Sequence, residues 1–349
     1  MNDWLDFLQT QGAQLEDQAI IHFGDPTKER LAARDKTVMC PLTHYGLIAV
    51  QGADTVTFLQ GQLSNDVRIV SPTHSQLSAY NSPKGRVLAL LRIFKHVDNY
   101  YLRMPRSVLD ATLRRLRLFV LRANVKLDDA SMRHAGLGLS GPDAEKLLAT
   151  LSPTLPTHIN ASVTVQHITI VRVAGGMPRF EIYAPIADLK TLWSQFATHV
   201  TPAAPGTWRW LDIINGIPEV FPETADAFVL QMLNLHSLDG VSFTKGCYTG
   251  QEIVARMYYL GKLKKRMYLA HVNGIAIPQP GMDVYESGNE NDQSIGQVVD
   301  AKMSPEGGCD LLVVTQVASA ETRTLHMTSR EGAVLEIRKL PYEVSLERQ

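Results

Sequence analysis

Residues 245–252 read KGCYTGQE, a segment in which charged residues, glycines and a cysteine lie close together in sequence. Thr249 and Glu252 have the spacing of a capping box, which predicts a helix that begins at Thr249 and places Cys247 two residues before its N-cap. The partial positive charge of a helix N-terminus and the ammonium of Lys245 both favour the thiolate form of the cysteine. The same spacing also suits a small buried cysteine in a tight turn, so the local sequence leaves both interpretations open.

Glycines lie on both sides of Cys247. Gly246 and Gly250 have no side chain, which permits unusual backbone angles and the close approach of a ligand or partner. The other cysteines, Cys40 and Cys309, are far away in sequence, and no C-x-x-C, H-x-x-x-H or H-E-x-x-H motif is present. The sequence therefore predicts neither a disulfide framework nor a metal centre held by the chain.

Basic residues are concentrated in residues 84–126, where eleven Lys or Arg face two acids, Asp98 and Asp110. Such a patch attracts phosphates, carboxylates or nucleic acid. Three arginines of one predicted helix suit a solvated face: Arg114, Arg115 and Arg117. The basic residues at predicted turns or boundaries are better candidates for a binding site, namely Lys84, Arg86, Lys264, Lys265 and Arg266.

Aromatic side chains provide candidate surfaces for a flat heteroaromatic ligand. Tyr45, Trp208 and Trp210 stand where predicted elements begin, so we expect their rings to be accessible. Each of them also suits the core, which is the commoner position of a tryptophan.

The composition is that of a globular protein. The chain has 349 residues, of which 45% are hydrophobic and 20% charged, and this excludes disorder and predicts roughly two or three domains. The formal net charge of -1 gives no overall evidence for a polyanionic partner. No apolar run approaches the ~20 residues that span a bilayer, and the N-terminus lacks the pattern of a signal peptide. We therefore expect a cytoplasmic protein with no membrane partner.

Hydrophobic periodicity divides the chain into four segments. Residues 1–35 form a polar, partly helical leader, and residues 36–132 follow the order βαββα of a two-layer α+β subdomain. Residues 133–264 form a second α+β subdomain, which carries the KGCYTGQE motif. Short β-rich runs separated by Asn-Gly, Pro-Gly and Gly-Gly turns predict an antiparallel β-barrel over residues 265–349. The predicted fold class is multi-subdomain α+β with a C-terminal barrel.

A weak nucleotide-binding motif lies in the second subdomain. Residues 136–141 read GLGLSG, which fits G-x-G-x-x-G, but the acid expected about 20 residues later is absent from residues 160–173. We therefore interpret the motif as a strand-to-helix turn with Pro142 at the first helical position.

The sequence resembles the YgfZ family of folate-binding proteins over residues 40–340. Besides KGCYTGQE, the resemblance rests on GAD at 52–54, FLQGQL at 58–63, PKGR at 83–86 and NGIPE at 215–219. The resemblance implies the fold of the related glycine-cleavage aminomethyltransferase, with three subdomains around a central channel and a β-barrel as the last of them.

The resemblance also implies site residues. The resemblance places Tyr45 and Trp208 where the family has aromatics associated with folate, and it leads us to expect Trp in close relatives at the position of Tyr45. Together with Lys84 and Arg86, they are the candidate contacts for tetrahydrofolate or a one-carbon derivative. Residues that match the family motif are Lys245, Gly246, Cys247, Tyr248, Gly250, Gln251 and Glu252. Of these, Cys247, with Lys245 beside it, is the candidate for reactivity.

The function implied by the resemblance is that of a tetrahydrofolate-binding accessory factor. Such a factor supports the assembly or repair of iron-sulfur clusters, and it affects tRNA modification indirectly, through cluster enzymes that methylthiolate tRNA. Its partners would be folate and iron-sulfur client or assembly proteins.

Two other functions stay open. One is a folate-dependent aminomethyl- or methyltransferase, which is disfavoured because residues 85–90, GRVLAL, lack the Asp that the aminomethyltransferase carries on this strand. The other is direct tRNA binding through the basic stretches, although no RNA-binding module is recognisable.

Overall fold

The computed structural model describes residues 2–259, 261, 263–288 and 293–344. Residue 1 and residues 345–349, at the ends of the first and last predicted segments, lie outside the described residues. Among the helices of the described residues, none has the length and apolar composition that a bilayer crossing requires.

Helices and strands are mixed along the whole chain. The helices are α1 (Asn2–Thr10), α2 (Pro26–Asp35), α3 (Thr55–Gln62), α4 (Arg106–Leu118), α5 (Ala144–Leu148), α6 (Ile186–Phe196), α7 (Pro205–Ile214), α8 (Gln251–Tyr259) and α9 (Val317–Thr322). The strands up to residue 202 are β1 (Gln14–Glu16), β2 (Ala19–His22), β3 (Val38–Pro41), β4 (Tyr45–Gln51), β5 (Gln76–Asn81), β6 (Val87–His96), β7 (Asn99–Pro105), β8 (Lys126–Asp129), β9 (His134–Ser140), β10 (Ser162–Val165), β11 (Ile168–Arg172), β12 (Arg179–Pro185) and β13 (Thr201–Pro202). The remaining strands are β14 (Lys265–Val272), β15 (Asp283–Glu286), β16 (Gly296–Met303), β17 (Cys309–Gln316), β18 (Leu325–Met327) and β19 (Val334–Arg338).

The five elements of the predicted βαββα order are present as β4, α3, β6, β7 and α4, but β5 lies between α3 and β6, and β3 and β8 flank the series, so three strands were not predicted. Helix α4 buries Leu109, Leu113 and Leu116 because their spacing of four and three residues keeps them on one face. The additional strands are short, and the alternation of apolar and polar residues over a few positions is too brief to distinguish them from loops.

The chain forms two compact units. The first contains Met1–Leu59, Val67–Gln76 and Leu91–Leu211, and the second contains Gln60–Asp66, Leu77–Leu90 and Asp212–Gln349. The first unit includes a six-stranded sheet in the order β10-β11-β12-β9-β3-β13, in which β13 pairs with β3 in parallel. A five-stranded sheet has the order β5-β6-β7-β4-β8. The four domain boundaries inferred from the sequence stay a prediction.

The N-terminal segment contributes to the core of the first unit. Trp4, Leu5 and Leu8 of α1 are buried in the same cluster as Trp193 of α6. The two indole rings meet edge to face at 6.2 Å between centroids, a favoured aromatic geometry. The residues predicted to be a leader therefore pack as part of the folded unit.

The second unit contains the predicted barrel. Its strands close in the order β14-β17-β16-β15-β18-β19, which confirms the α+β fold class with a C-terminal antiparallel barrel. Along β14, Tyr268, Ala270 and Val272 belong to one apolar cluster, whereas Met267 and Leu269 belong to another. Because alternate residues of a strand point to opposite faces, β14 is buried on both sides.

Residues 136–140 of the G-x-G-x-x-G segment lie in β9, and only Gly141 lies in the turn that leads to α5, so the predicted strand-to-helix turn is confirmed for the last residue of the motif alone. Pro142 is not the first helical residue, because Asp143 is the N-cap of α5. Gly138 has a packing role: a Cβ at this position would overlap the six-membered ring of Trp208. The glycine is therefore explained by close packing of β9 against α7.

We expect Gly138→Ala to destabilise the first unit by about 1–3 kcal/mol, the usual cost of overpacking a core. The ring of Trp208 is fully buried with the Arg179 guanidinium 4.0 Å from its centre, so a shift away from the added methyl group would disturb packed neighbours. Denaturant unfolding monitored by Trp fluorescence measures the effect. Gly206→Ala in α7 is the matched control, because no atom lies within 4 Å of its added Cβ. Equal stabilities of the two variants would contradict the assigned packing role.

Candidate functional site

The KGCYTGQE segment is a loop that leads into helix α8 in the second unit. The predicted helix start at Thr249 is wrong, because α8 begins two residues later, at Gln251. Gly250 precedes it with a φ of +80°, a left-handed conformation that interrupts the helical backbone. A Cβ on Gly250 would also lie 2.5 Å from the carbonyl oxygen of Ser82, so this position requires glycine.

The turn of residues 82–86 lies against the start of α8. Gly85 donates its N–H to the carbonyl of Ser82 at 2.9 Å and has a φ of +68°. A Cβ on Gly85 would lie 2.7 Å from Cβ of Ile253. The structure thus brings the PKGR turn and the KGCYTGQE loop together through two facing glycines, Gly85 and Gly250.

Lys245 is buried, with 5% of its surface exposed. Its ammonium donates to three backbone carbonyls, those of Gln60 at 2.8 Å, Leu63 at 2.6 Å and Asn65 at 2.9 Å. Gln60 lies in the last turn of α3, where carbonyl groups have no partner within the helix and carry partial negative charge. These bonds use all three donors of the ammonium, so the structure gives Lys245 a positioning role for the loop.

Cys247 is exposed and forms no disulfide. The alternative of a small buried cysteine in a tight turn is therefore wrong. Gly246 beside it is also exposed, and no atom lies within 4 Å of a Cβ built there, so nothing in the described part of the chain requires glycine at that position. Cys40 and Cys309 are buried. No group of three His, Cys, Asp or Glu side chains among the described residues has a metal-binding arrangement.

Tyr248 points into the protein while its neighbour Cys247 is exposed. Its side chain is 7% exposed, and the Lys245 ammonium lies 5.1 Å from the centre of its ring. Burial raises the pKa of the Tyr248 hydroxyl above its ordinary value, so the phenol stays neutral at physiological pH. The buried Lys245 and Tyr248 on either side thus fix the loop in a form that exposes the thiol.

Lys84 and Arg86 are both exposed, as a role in binding an anion requires. The Arg86 guanidinium also donates to the backbone carbonyl of Ala227, which holds the turn to the segment after residue 225. Ser82 reinforces this contact, because its hydroxyl donates to the Asp226 carboxylate at 2.7 Å. Of the motif's remaining members, Glu252 is exposed and Gln251 is half-buried.

The basic residues at the start of the barrel differ in exposure. Lys264 is exposed, whereas Lys265 and Arg266 lie in β14 and are half-buried. The Arg266 guanidinium lies 4.6 Å from the centre of the Tyr268 ring. Of the three, Lys264 is therefore the best placed to meet an anion in solution.

Tyr45 and Trp208 belong to the first unit, and the expectation that they are accessible is wrong. Trp208 is fully buried, and the guanidinium of Arg179 lies 4.0 Å from the centre of its ring. Tyr45 is 7% exposed, with the guanidinium of Arg103 at 4.0 Å from its ring centre. Trp210 is buried as well. Their positions at the starts of β4 and α7 did not predict exposure, because both elements pack with these residues facing inward.

A buried ion network in the first unit was not predicted. Glu181 is enclosed, with Arg92 at 3.2 Å, Arg103 at 3.4 Å and the Tyr183 hydroxyl donating to it at 2.6 Å. Burial alone would raise the pKa of Glu181, but Arg103 and Arg92 outweigh it and hold the pKa below its ordinary value. A sequence signal was available, because Glu181 and both arginines are charges among apolar neighbours in a strand.

Comparison with known proteins agrees with this architecture. The chain is similar to aminomethyltransferase T of the glycine cleavage system from Bartonella henselae, with a TM-score of 0.72, 17% identity and 96% of each chain covered. The family model of the GCVT N-terminal domain matches residues 18–203. The fold and the match define a protein of the aminomethyltransferase-like class.

The tRNA-modifying protein YgfZ of Cronobacter sakazakii is 30% identical over 324 residues, which cover 91% of this chain and 97% of that protein. The YgfZ of Colwellia psychrerythraea is 28% identical over 318 residues, with the same coverage of both chains. The chain belongs to the YgfZ family.

We expect Lys245→Met to lower the melting temperature by several degrees, a loss of about 2 kcal/mol or more, because three carbonyls lose their donor. The loop should also lose its fixed form. Differential scanning calorimetry and the labelling rate of Cys247 by a thiol reagent measure the two effects. Lys84→Met is the matched control, since it removes an exposed ammonium from the same unit. A melting temperature and labelling rate equal to those of the control would show that the three bonds do not hold the loop.

Proposed function

We propose that this protein is a cytoplasmic tetrahydrofolate-binding accessory factor for the assembly or repair of iron-sulfur clusters. The observation that carries the proposal is the exposed thiol of Cys247 on a loop fixed by buried side chains. The accessory factor would affect tRNA modification indirectly, through enzymes that contain iron-sulfur clusters. The tRNA-modifying name of the YgfZ relatives supports this link.

Folate binding is supported by the match to the GCVT N-terminal domain. The residues present fit a folate only in part. Lys84 and Arg86 are exposed cations that suit the carboxylates of a folate tail. Tyr45 and Trp208 do not fit as stacking surfaces, because their rings are buried against guanidinium groups. The cavity that Tyr45 lines has a volume of about 20 Å³, which admits a water molecule and no pterin ring.

The chemistry assigned to the chain's own residues centres on Cys247. A thiolate is the form in which cysteine attacks carbon or sulfur and binds iron. Three targets suit an exposed thiol: a one-carbon unit carried by folate, a cluster, or a client protein. Lys245 and Tyr248 would keep the thiol directed outward throughout, since their contacts lie on the buried side of the loop.

The alternative of a folate-dependent aminomethyltransferase has less support. Strand β6 and the turn before it carry no carboxylate up to His96, so the group that steers the transfer in the aminomethyltransferase has no counterpart there. Turnover in a glycine-cleavage assay with the carrier protein would favour the enzyme. Folate binding without turnover would favour the accessory factor.

We expect tetrahydrofolate to raise the melting temperature of the protein by mass action, with a stabilisation of about 2.7 kcal/mol at a hundredfold excess over Kd. Lys84→Ala should reduce this shift by weakening the contact with the glutamate tail, and it should not change the smaller shift caused by tetrahydropterin, which has no tail. Thermal melting with both ligands tests this. Lys28→Ala, which removes a lysine whose side chain is 83% exposed, is the control. The absence of any shift at saturating tetrahydrofolate would overturn folate binding.

We expect Cys247→Ser to retain the melting temperature, because the side chain is exposed, and to retain the folate shift, because the proposed contacts with the folate tail are Lys84 and Arg86. The same variant should fail to restore the activity of iron-sulfur enzymes in cells that lack the protein. Methylthiolation of tRNA, measured by mass spectrometry, is the readout. Thr244→Ser on the same loop is the control. Full restoration by Cys247→Ser would remove the thiol from the proposed function.

A further inference from the structure

The end of helix α4 exposes an apolar tip in the first unit. Leu118 is 74% exposed, Phe119 is 44% exposed and Leu121 is 88% exposed. Three large apolar side chains within four residues form an exposed patch of a kind that often marks an interaction site. We call residues 118–121 the apolar tip.

The backbone of the apolar tip is held in place. Asn124, just beyond it, donates its N–H to the Asp54 carboxylate at 2.7 Å, and Ala123 donates to the carbonyl of Val120 at 2.8 Å. Leu121 has a φ of +46°, a left-handed conformation that a branched side chain seldom adopts. The fold thus holds Leu121 at an unfavourable backbone angle while its side chain faces solvent.

Cations flank the apolar tip. The stretch from residue 110 to residue 128 holds two acids, Asp110 and Asp128, against five basic residues, which are Arg114, Arg115, Arg117, Arg122 and Lys126. The Asp128 carboxylate pairs with two of these basic residues: it lies 2.9 Å from the Lys126 ammonium and 3.9 Å from the Arg117 guanidinium. Arg114 and Arg122 are exposed and form no ion pair within the described residues. Arg114 lies four residues before Leu118, so the two side chains share one face of α4.

We propose that the apolar tip docks reversibly on an anionic lipid surface. Leucine and phenylalanine side chains would enter the interface, while Arg114 and Arg122 would meet lipid phosphates. An RNA backbone would satisfy the arginines and leave both leucines in water. A lipid surface satisfies both kinds of side chain, and it requires no shape-matched groove for leucines that are 74% and 88% exposed.

The proposed docking on a lipid surface departs from the prediction, made from the sequence, that the protein has no membrane partner. That expectation rests on the lack of a long apolar run, which a chain needs in order to cross a bilayer. An apolar tip flanked by arginines needs no such run, because its side chains enter only the boundary between headgroups and acyl chains.

The test uses the full-length protein and vesicles of phosphatidylcholine with or without phosphatidylglycerol, separated by sedimentation. Binding is expected only with phosphatidylglycerol, and it should weaken as salt rises. Leu121→Asn should lower vesicle affinity about tenfold or more, because a leucine that enters the interface is lost. The same change should leave the melting temperature unchanged or raise it, because asparagine tolerates the left-handed conformation.

Val97→Asn is the matched control. Val97 is 56% exposed and has a φ of +53°, so the same substitution relieves the same kind of backbone strain at a residue outside 118–121. Its vesicle affinity should equal that of the unmodified protein. The proposal is overturned by absence of binding, by equal binding to both vesicles, or by equal losses in the two variants. Binding of bulk tRNA that falls tenfold in Leu121→Asn would also overturn it and identify RNA as the partner.

Discussion

The three hydrogen bonds of the Lys245 ammonium determine the form of the candidate site. A buried ammonium is costly unless every donor has a partner, and here each of its three N–H groups faces a backbone carbonyl. The carbonyls of Gln60 and Leu63 lie at the end of α3, where they have no partner within the helix. One side chain thus satisfies the end of a helix and fixes the loop that carries Cys247.

A second constraint is the contact between two glycine turns. Gly85 and Gly250 both have positive φ angles, and a Cβ built on Gly250 would lie 2.8 Å from Cα of Gly85. Side chains on either residue would separate the turns and displace the start of α8. The PKGR and KGCYTGQE motifs, although far apart in sequence, are therefore one structural unit.

Much of the fold could be predicted from the sequence, because its signals are local. The strands of the barrel follow apolar runs between turns, and the stripe of Leu109, Leu113 and Leu116 identifies α4. The exposure of Cys247 and the burial of Lys245 could not be predicted. The position of the loop depends on the carbonyls of residues 60, 63 and 65, which accept hydrogen bonds from Lys245. The sequence around residue 245 contains no pattern that predicts a contact with residues so far away in sequence. The burial of Trp208 likewise depends on Gly138 of β9, 70 residues earlier in the sequence.

The fold that this chain shares with aminomethyltransferase T does not establish that the two proteins share a reaction. The likeness to aminomethyltransferase T at 17% identity shows the fold alone, so any reaction must be argued from the side chains present. Strand β6 has no carboxylate, whereas the loop before α8 has an exposed thiol. A carboxylate accepts protons and steers a transfer, but a thiolate forms bonds to carbon, sulfur or iron. The proposed supporting role in cluster chemistry would use the exposed thiol of Cys247, whereas aminomethyl transfer would need a carboxylate that β6 does not carry.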